Sequence, residues 1–275
     1  MQKLDRLVWT AGLSFRAYGV RVGVRVNREE ALDVVRDYLP PDWKPSLSPV
    51  VDRLYSLVVG RNDSRKPNVR RFNLLYADAA RLTRSLELET VLRDLESDMQ
   101  HYVAESAPRR VFVHAGVIGW RGRAVLIPGR SFSGKTTLVA ELVRAGAVYY
   151  SDEYAVLDSS GRVHPYARPL SIRRQESFDS DRWPVESLGG SRGARPLSVG
   201  LVIVTEYKSG ARWQPRRLSA GQGALALLNN TISIQRNPEA ALPVLKRVAS
   251  QARILKSRRG EAKGMVDSIL KSLSE

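Results

Sequence analysis

The sequence contains no cysteine, which excludes disulfides, thiolate metal sites and a thiol nucleophile. No stretch approaches the roughly 18 consecutive apolar residues of a membrane span, so no membrane partner is expected. The opening residues, Met1 to Arg6, run into a mixed segment containing Arg16 and lack the apolar core of a signal peptide. The expected location is the cytoplasm. Internal repeats and low-complexity tracts are absent as well. Acidic residues are scarce, with 28 Asp plus Glu against 44 Lys plus Arg and a net charge of +16. The surplus is scattered in short clusters such as Arg61–Arg71, Arg109–Arg110 and Lys256–Arg259. No basic arm, zinc-finger spacing or heptad-bearing basic region accompanies it. Nucleic acid is therefore not the expected partner, and nucleotide phosphate alone accounts for part of the charge.

What is present is an ordinary folded composition, 43% hydrophobic over 275 residues, enough for one large domain or two small ones. The alternation from Tyr18 to Val26 predicts a strand with its valines on one face. Asn27, with Glu30 three residues on, predicts a capping box for a helix that Pro40-Pro41 stops. Strands are expected at Leu54–Val59 and Val69–Tyr76, joined by the turn Arg61–Asn68. Leu88, Val91, Leu92, Leu95, Met99, Tyr102 and Val103 form the stripe of an amphipathic helix. Pro108-Arg109-Arg110 breaks the pattern, giving an N-terminal α+β domain over 1–107 and a second domain over 108–275.

The second domain opens on an expected hairpin, Val111–Trp120 and Ala124–Ile127 around the turn Arg121-Gly122-Arg123. A helix is expected at Lys135–Ala145, ended by Gly146, followed by a strand at Ala147–Tyr150 that leads to Ser151-Asp152-Glu153. Strands at Tyr154–Leu157 and Arg162–Arg168 flank the turn Asp158–Gly161. Gln175–Pro196 lacks periodicity and reads as a mobile loop. A strand at Val199–Thr205, a turn at Lys208–Gly210 and helices at Ala220–Leu228 and Pro238–Gln251 follow. Strands alternating with helices predict an α/β domain, and the hairpins make its sheet mixed.

Between hairpin and helix, Gly129-Arg-Ser-Phe-Ser-Gly134-Lys135-Thr136 fits G-x-x-x-x-G-K-[ST] at every defined position. Such a loop turns successive N–H groups toward phosphate oxygens and ends at a helix N-terminus, where an anion is favoured. Gly129, Ser131, Ser133, Gly134, Lys135, Thr136 and Thr137 are the candidate nucleotide contacts. Lys135 supplies a point charge for the β- and γ-phosphates, and the Thr136 hydroxyl suits Mg²⁺. The loop implies nucleotide binding and leaves the reaction open. Asp152 and Glu153 follow Lys135 by one helix and one strand and so emerge beside the loop. One carboxylate there can hold the metal while the other accepts a proton from an attacking hydroxyl. His114 lies on the hairpin strand beside the loop; a histidine in an apolar strand is commonly a core residue. Arg168 is the candidate cation for transition-state charge.

The run from Val113-His114-Ala115-Gly116 through Gly129–Thr136 to Tyr150-Ser151-Asp152-Glu153 resembles the catalytic domain of the bacterial HPr kinase/phosphorylase family. That family belongs to the P-loop group with the phosphoenolpyruvate-carboxykinase-like fold. The resemblance implies an ATP- and Mg²⁺-dependent kinase, with Asp152 as catalytic base, Glu153 as the metal-side acid and His114 near the phosphates. The family's later Glu-x-Arg-Gly segment has no counterpart; Ala167–Arg173 stands in its place. Residues 1–107 carry no motif of its regulatory domain. The chain is closer to members of the wider group that act on peptide precursors or small hydroxy compounds. The expected acceptor is thus a hydroxyl on a peptide or protein serine or threonine, or on a small molecule. The family often forms oligomers, which leaves a homo-oligomer open. Two other readings stand beside the kinase: a regulatory P-loop NTPase without a phosphoacceptor, and a basic nucleic-acid-associated protein.

Overall fold

Two strands, β1 (Ala11–Ala17) and β2 (Val20–Val26), open the computed structural model, in which Leu4 and residues 7–60, 71–130, 133–173 and 180–274 are described. They form a hairpin whose turn is Tyr18-Gly19, both at positive φ. The expected strand therefore begins at Val20, and Val20, Val22, Val24 and Val26 are all buried, as period-two alternation requires. After helix α1 (Ala31–Arg36) come β3 (Lys44–Pro45), β4 (Arg53–Val58), β5 (Asn73–Ala77) and β6 (Ala80–Ser85). They build a six-stranded mixed sheet in the order β3-β1-β2-β4-β5-β6, with β2 and β4 parallel. The expected turn at 61–68 lies outside the described residues.

The expected capping box at Asn27 does not form. The Asn27 carboxamide instead brackets Val59, accepting from its N–H at 2.8 Å and donating to its carbonyl at 3.3 Å. Glu30 becomes the residue before α1 and makes no side-chain cap. Paired to a neighbouring strand, the carboxamide satisfies two backbone groups where a cap satisfies one. Helix α2 (Leu88–Ser106) buries Val91, Leu92, Leu95, Met99 and Val103. Burying side chains of this size is worth about 1.5–3 kcal/mol each, which holds a helix that has no side-chain cap.

The chain divides into two units, Met1–Pro108 and Arg109–Glu275. In the second, β7 (Val111–Trp120) and β8 (Arg123–Pro128) form the expected hairpin across Arg121-Gly122. Then come α3 (Lys135–Arg144), β9 (Val148–Ser151), β10 (Tyr154–Leu157), β11 (Arg162–His164), β12 (Leu170–Arg173), β13 (Ser180–Trp183) and β14 (Leu197–Tyr207). The unit closes with β15 (Arg216–Arg217), α4 (Ala220–Leu228), α5 (Pro238–Gln251), β16 (Arg253–Arg259) and α6 (Val266–Ser274). The sheet runs β11-β10-β7-β8-β14-β16-β15, with β9 also on β7, and β11 also pairs antiparallel with β14, closing the order on itself. It is mixed α/β: β8, β14 and β16 are parallel, while β7 is antiparallel to β8, β9 and β10.

Alternate residues of the central strands feed two separate apolar clusters. Ile118, Val125, Ile127, Leu201, Ile203 and Leu255 pack with Leu138 and Val139 of α3 and Ile269 of α6. Val117, Leu126, Val202 and Ile254 pack with Leu227 of α4 and Leu245 and Val248 of α5. Helices thus cover both faces, as buried parallel strands need. Gly116 of β7 allows the approach of α3: a Cβ there would lie 2.7 Å from Val139 Cγ2. Among the described residues no helix is long and apolar enough to cross a membrane.

Of the segment Gln175–Pro196, expected as a mobile loop, residues 180–196 are built into the fold, and 175–179 lie outside the described residues. β13 pairs with β12, Val185 is buried, and Arg192 bridges to Tyr149. Hairpin pairing and one buried valine order a segment whose composition shows no periodicity.

Candidate functional site

In α/β folds the ligand site commonly lies beyond the carboxyl ends of the parallel strands. Here β8, β14 and β16 end at Pro128, Tyr207 and Arg259, and the glycine-rich loop leaves β8 at that edge. Gly129 N–H donates to the His114 carbonyl at 3.2 Å, and His114 N–H donates to the Asn230 carbonyl at 2.7 Å. The loop is thereby tied to β7 as it starts. It ends at Gly134, the residue before α3, in left-handed conformation with φ 78°. Ser133 N–H donates to the Arg130 carbonyl. Ser131 lies outside the described residues.

Lys135 is buried, and its Nζ donates to the Arg130 carbonyl at 2.8 Å. The lysine is folded back onto its own loop. Burial lowers its pKa, and the charges of Glu153 and Asp152 offset this in part. Thr136, one residue on, donates from Oγ1 to Asp152 Oδ2 at 3.0 Å. Thr137 is exposed on the first turn of α3 and is not drawn into this contact.

Asp152 is buried, and its other oxygen accepts from the Tyr149 hydroxyl at 2.8 Å. Burial is the largest influence on its carboxyl and raises its pKa. Glu153 pushes in the same direction, while the bonds from Tyr149 and Thr136 pull against it. Glu153 itself is more exposed and lies on the other side. Its Oε1 is 3.2 Å from His114 Nε2, and its carbonyl accepts from Ala115 N–H. The two acids sit in the bend between β9 and β10 and take different partners, Asp152 the hydroxyls of Thr136 and Tyr149 and Glu153 the His114 ring.

Strand β11 is antiparallel to β10, the direction that carries Arg168 back toward the acids. The Arg168 backbone hydrogen-bonds the Tyr149 hydroxyl, one hydroxyl away from Asp152. Burial, and then the charge of Arg182, push the Arg168 pKa down to about 9. A guanidinium keeps its proton across the working range, so the direction is what matters: these surroundings favour an arriving anion.

Thr136 and Asp152 supply two hard-oxygen donors on one spot, which fits Mg²⁺. That ion binds through one or two protein ligands and completes its shell with water and phosphate oxygens. It needs no cage of three carboxylates or imidazoles, and the described residues contain none.

Two residues of the site, Tyr149 and Arg259, are not among the candidates that the sequence singles out. Tyr149, the second residue of β9, anchors Asp152; its place three residues before the acid is the only signal it offers. Arg259 is 3% exposed and donates from Nη2 to the carbonyls of Ser133 and Gly134 at 3.1 and 3.0 Å. Nothing near it in the sequence points to the loop.

Compared with protein-family models and with curated proteins, the chain matches none.

Proposed function

We propose that the chain is an ATP-dependent phosphotransferase of the HPr kinase and phosphoenolpyruvate-carboxykinase type. It moves the γ-phosphoryl group of ATP onto a hydroxyl of a serine, a threonine or a small molecule. The observation that carries this reading is the 3.0 Å bond between Thr136 and Asp152. It joins the last residue of the phosphate-loop motif to the first acid beyond the next strand, the pair that Mg²⁺ and a triphosphate would share.

The geometry supports an exchange of the roles expected for the two acids. Asp152 sits on Thr136 and takes the metal side, with Mg²⁺ neutralising β- and γ-phosphate charge when bound. Glu153 and His114 take the acceptor side. Lys135 leaves the Arg130 carbonyl for the phosphates. The acceptor oxygen then attacks the γ-phosphorus and its proton passes to the His114–Glu153 pair. The bond to the bridging oxygen breaks and ADP leaves. Arg168 faces the charge on the transferring group.

Glu153→Gln is expected to lower kcat by about 10²–10⁴-fold, the usual worth of general-base help. Its KM for Mg²⁺–ATP should stay within a few-fold of wild type in an ADP-release assay with a serine-peptide pool. If kcat holds while the Mg²⁺ requirement rises, Glu153 belongs on the metal.

A second test follows from Lys135. Its free-state pKa is lowered by burial, and phosphate contact raises it, so binding takes up a proton. Affinity for Mg²⁺–ADP should therefore fall as pH rises through the lowered value. Lys135→Arg, charged throughout this range, should bind more weakly but with a flat profile between pH 7 and 10. Calorimetry across that range measures both, and a Lys135→Arg profile that falls as steeply as that of wild type contradicts the assignment.

A further inference from the structure

Arg259 ends β16, a strand parallel to β14 and in register with it, Tyr207 facing Arg259. Folding brings it to the phosphate loop across 125 residues of chain. Its guanidinium, buried from solvent, reaches the carbonyls of Ser133 and Gly134 through Nη2 and that of Gly260 through Nη1. We propose that Arg259 is a positioning residue that turns the peptide planes of the loop so that their N–H groups face phosphate. The inference rests on the nucleotide-binding reading above and names a residue outside the motif as a determinant of it.

In a trans peptide the carbonyl and the following N–H point in opposite directions. Arg259 holds the Ser133 carbonyl and shares the Gly134 carbonyl with the Leu138 N–H of α3, which turns the N–H groups of Gly134 and Lys135 away from the guanidinium. These open α3 and have no acceptor inside the helix, and they are the donors a phosphate uses at a helix N-terminus.

Three further observations fit this role. Gly134 is held at φ 78°, and a Cβ on it would come 2.3 Å from Arg259 Nη2, so glycine and arginine belong to one arrangement. The guanidinium lies over the Tyr207 ring at 5.5 Å, and the Tyr207 hydroxyl donates to Glu261 at 2.6 Å. This fixes the arginine from the side away from the loop. Finally, Arg259 Nε is buried without a hydrogen-bond partner among the described residues. A fold needing only a space-filling residue here would avoid that cost; keeping an arginine points to what its other nitrogens hold.

The test measures binding of a fluorescent ADP analogue with Mg²⁺ to wild type, Lys135→Ala, Arg259→Ala and Arg259→Lys. Arg259→Ala should bind about 10–100-fold more weakly, the worth of hydrogen bonds to a charged group. Millimolar guanidinium should restore part of the affinity, which a merely structural defect would not allow. Arg259→Lys keeps the stem and the charge but not the fork; it should bind more weakly than wild type by about tenfold, and it decides the matter should the alanine variant not fold. Arg259 variants binding as wild type does, while Lys135→Ala does not, would overturn this proposal alone. A wild type that binds no nucleotide would overturn it together with the reading beneath it.

Discussion

Asp152→Asn is expected to lower kcat by about 10³-fold, the scale of losing a charge placed on a transferring group, and at the same time to stabilise the ligand-free protein. Both effects come from one buried carboxylate. Its pKa is raised, first by burial and then by Glu153, against the bonds from Tyr149 and Thr136. An acid whose folded pKa is raised weakens the fold when it ionises. That cost is absent below the unfolded value of about 3.9 and fully present above the folded value. At neutral pH the neutral amide removes it. A gain of about 1 kcal/mol would raise Tm by about 2–4 °C. The same substitution should erase the extra thermal shift that Mg²⁺ adds to ADP in wild type. Thermal melts at pH 7 with and without Mg²⁺–ADP, beside an initial-rate assay, read both. A variant as active as wild type removes Asp152 from the chemistry; one less stable than wild type shows that the hydrogen bonds outweigh the burial.

Arg168→Ala carries the second large effect. Its surroundings disfavour positive charge, through burial and then Arg182, and its backbone stands on the Tyr149 hydroxyl that also holds Asp152. Negative charge on a transferring phosphoryl group is the anion such a place favours. Loss of an arginine of this kind costs about 10³-fold or more in kcat, with little change in nucleotide affinity. Arg168→Lys should recover only part of it, because an ammonium lacks the planar fork. Steady-state kinetics of the three proteins separates kcat from KM. Turnover of Arg168→Ala within a few-fold of wild type assigns the charge stabilisation to another residue, and Arg182 is the first to test.

What was legible in the sequence follows from the physics of each element. The β7–β8 hairpin, α2, α3, α4 and α5 announce themselves because apolar residues recur at the period of a strand or a helix and turn residues bound them. The glycine-rich loop is legible because the glycines, lysine and threonine of its motif stand at fixed spacing. β1, β6 and β16 pass unseen. In β6, arginines at 81 and 84 break the apolar pattern, and in β16 Lys256, Arg258 and Arg259 resemble a surface cluster. Yet β16 carries Leu255 into one face of the sheet and Ile254 into the other. The capping signal at Asn27 misleads because a neighbouring strand competes for the same carboxamide. In the site, the motif places Lys135, Thr136 and the acidic pair together. The direction of each carboxylate, and the reach of Arg259 to the loop, depend on strand register, which spacing does not encode.

The central claim is that the loop and the two acids form one site for moving a phosphoryl group from ATP to a hydroxyl. Wild type and Lys135→Ala, each incubated with Mg²⁺, γ-labelled ATP and separate pools of serine- and threonine-containing peptides and hydroxylated metabolites, test it most directly. The account predicts label in an acid-stable phosphate ester with wild type and none with Lys135→Ala. Release of the label from wild type as inorganic phosphate alone, whatever the pool, would contradict it.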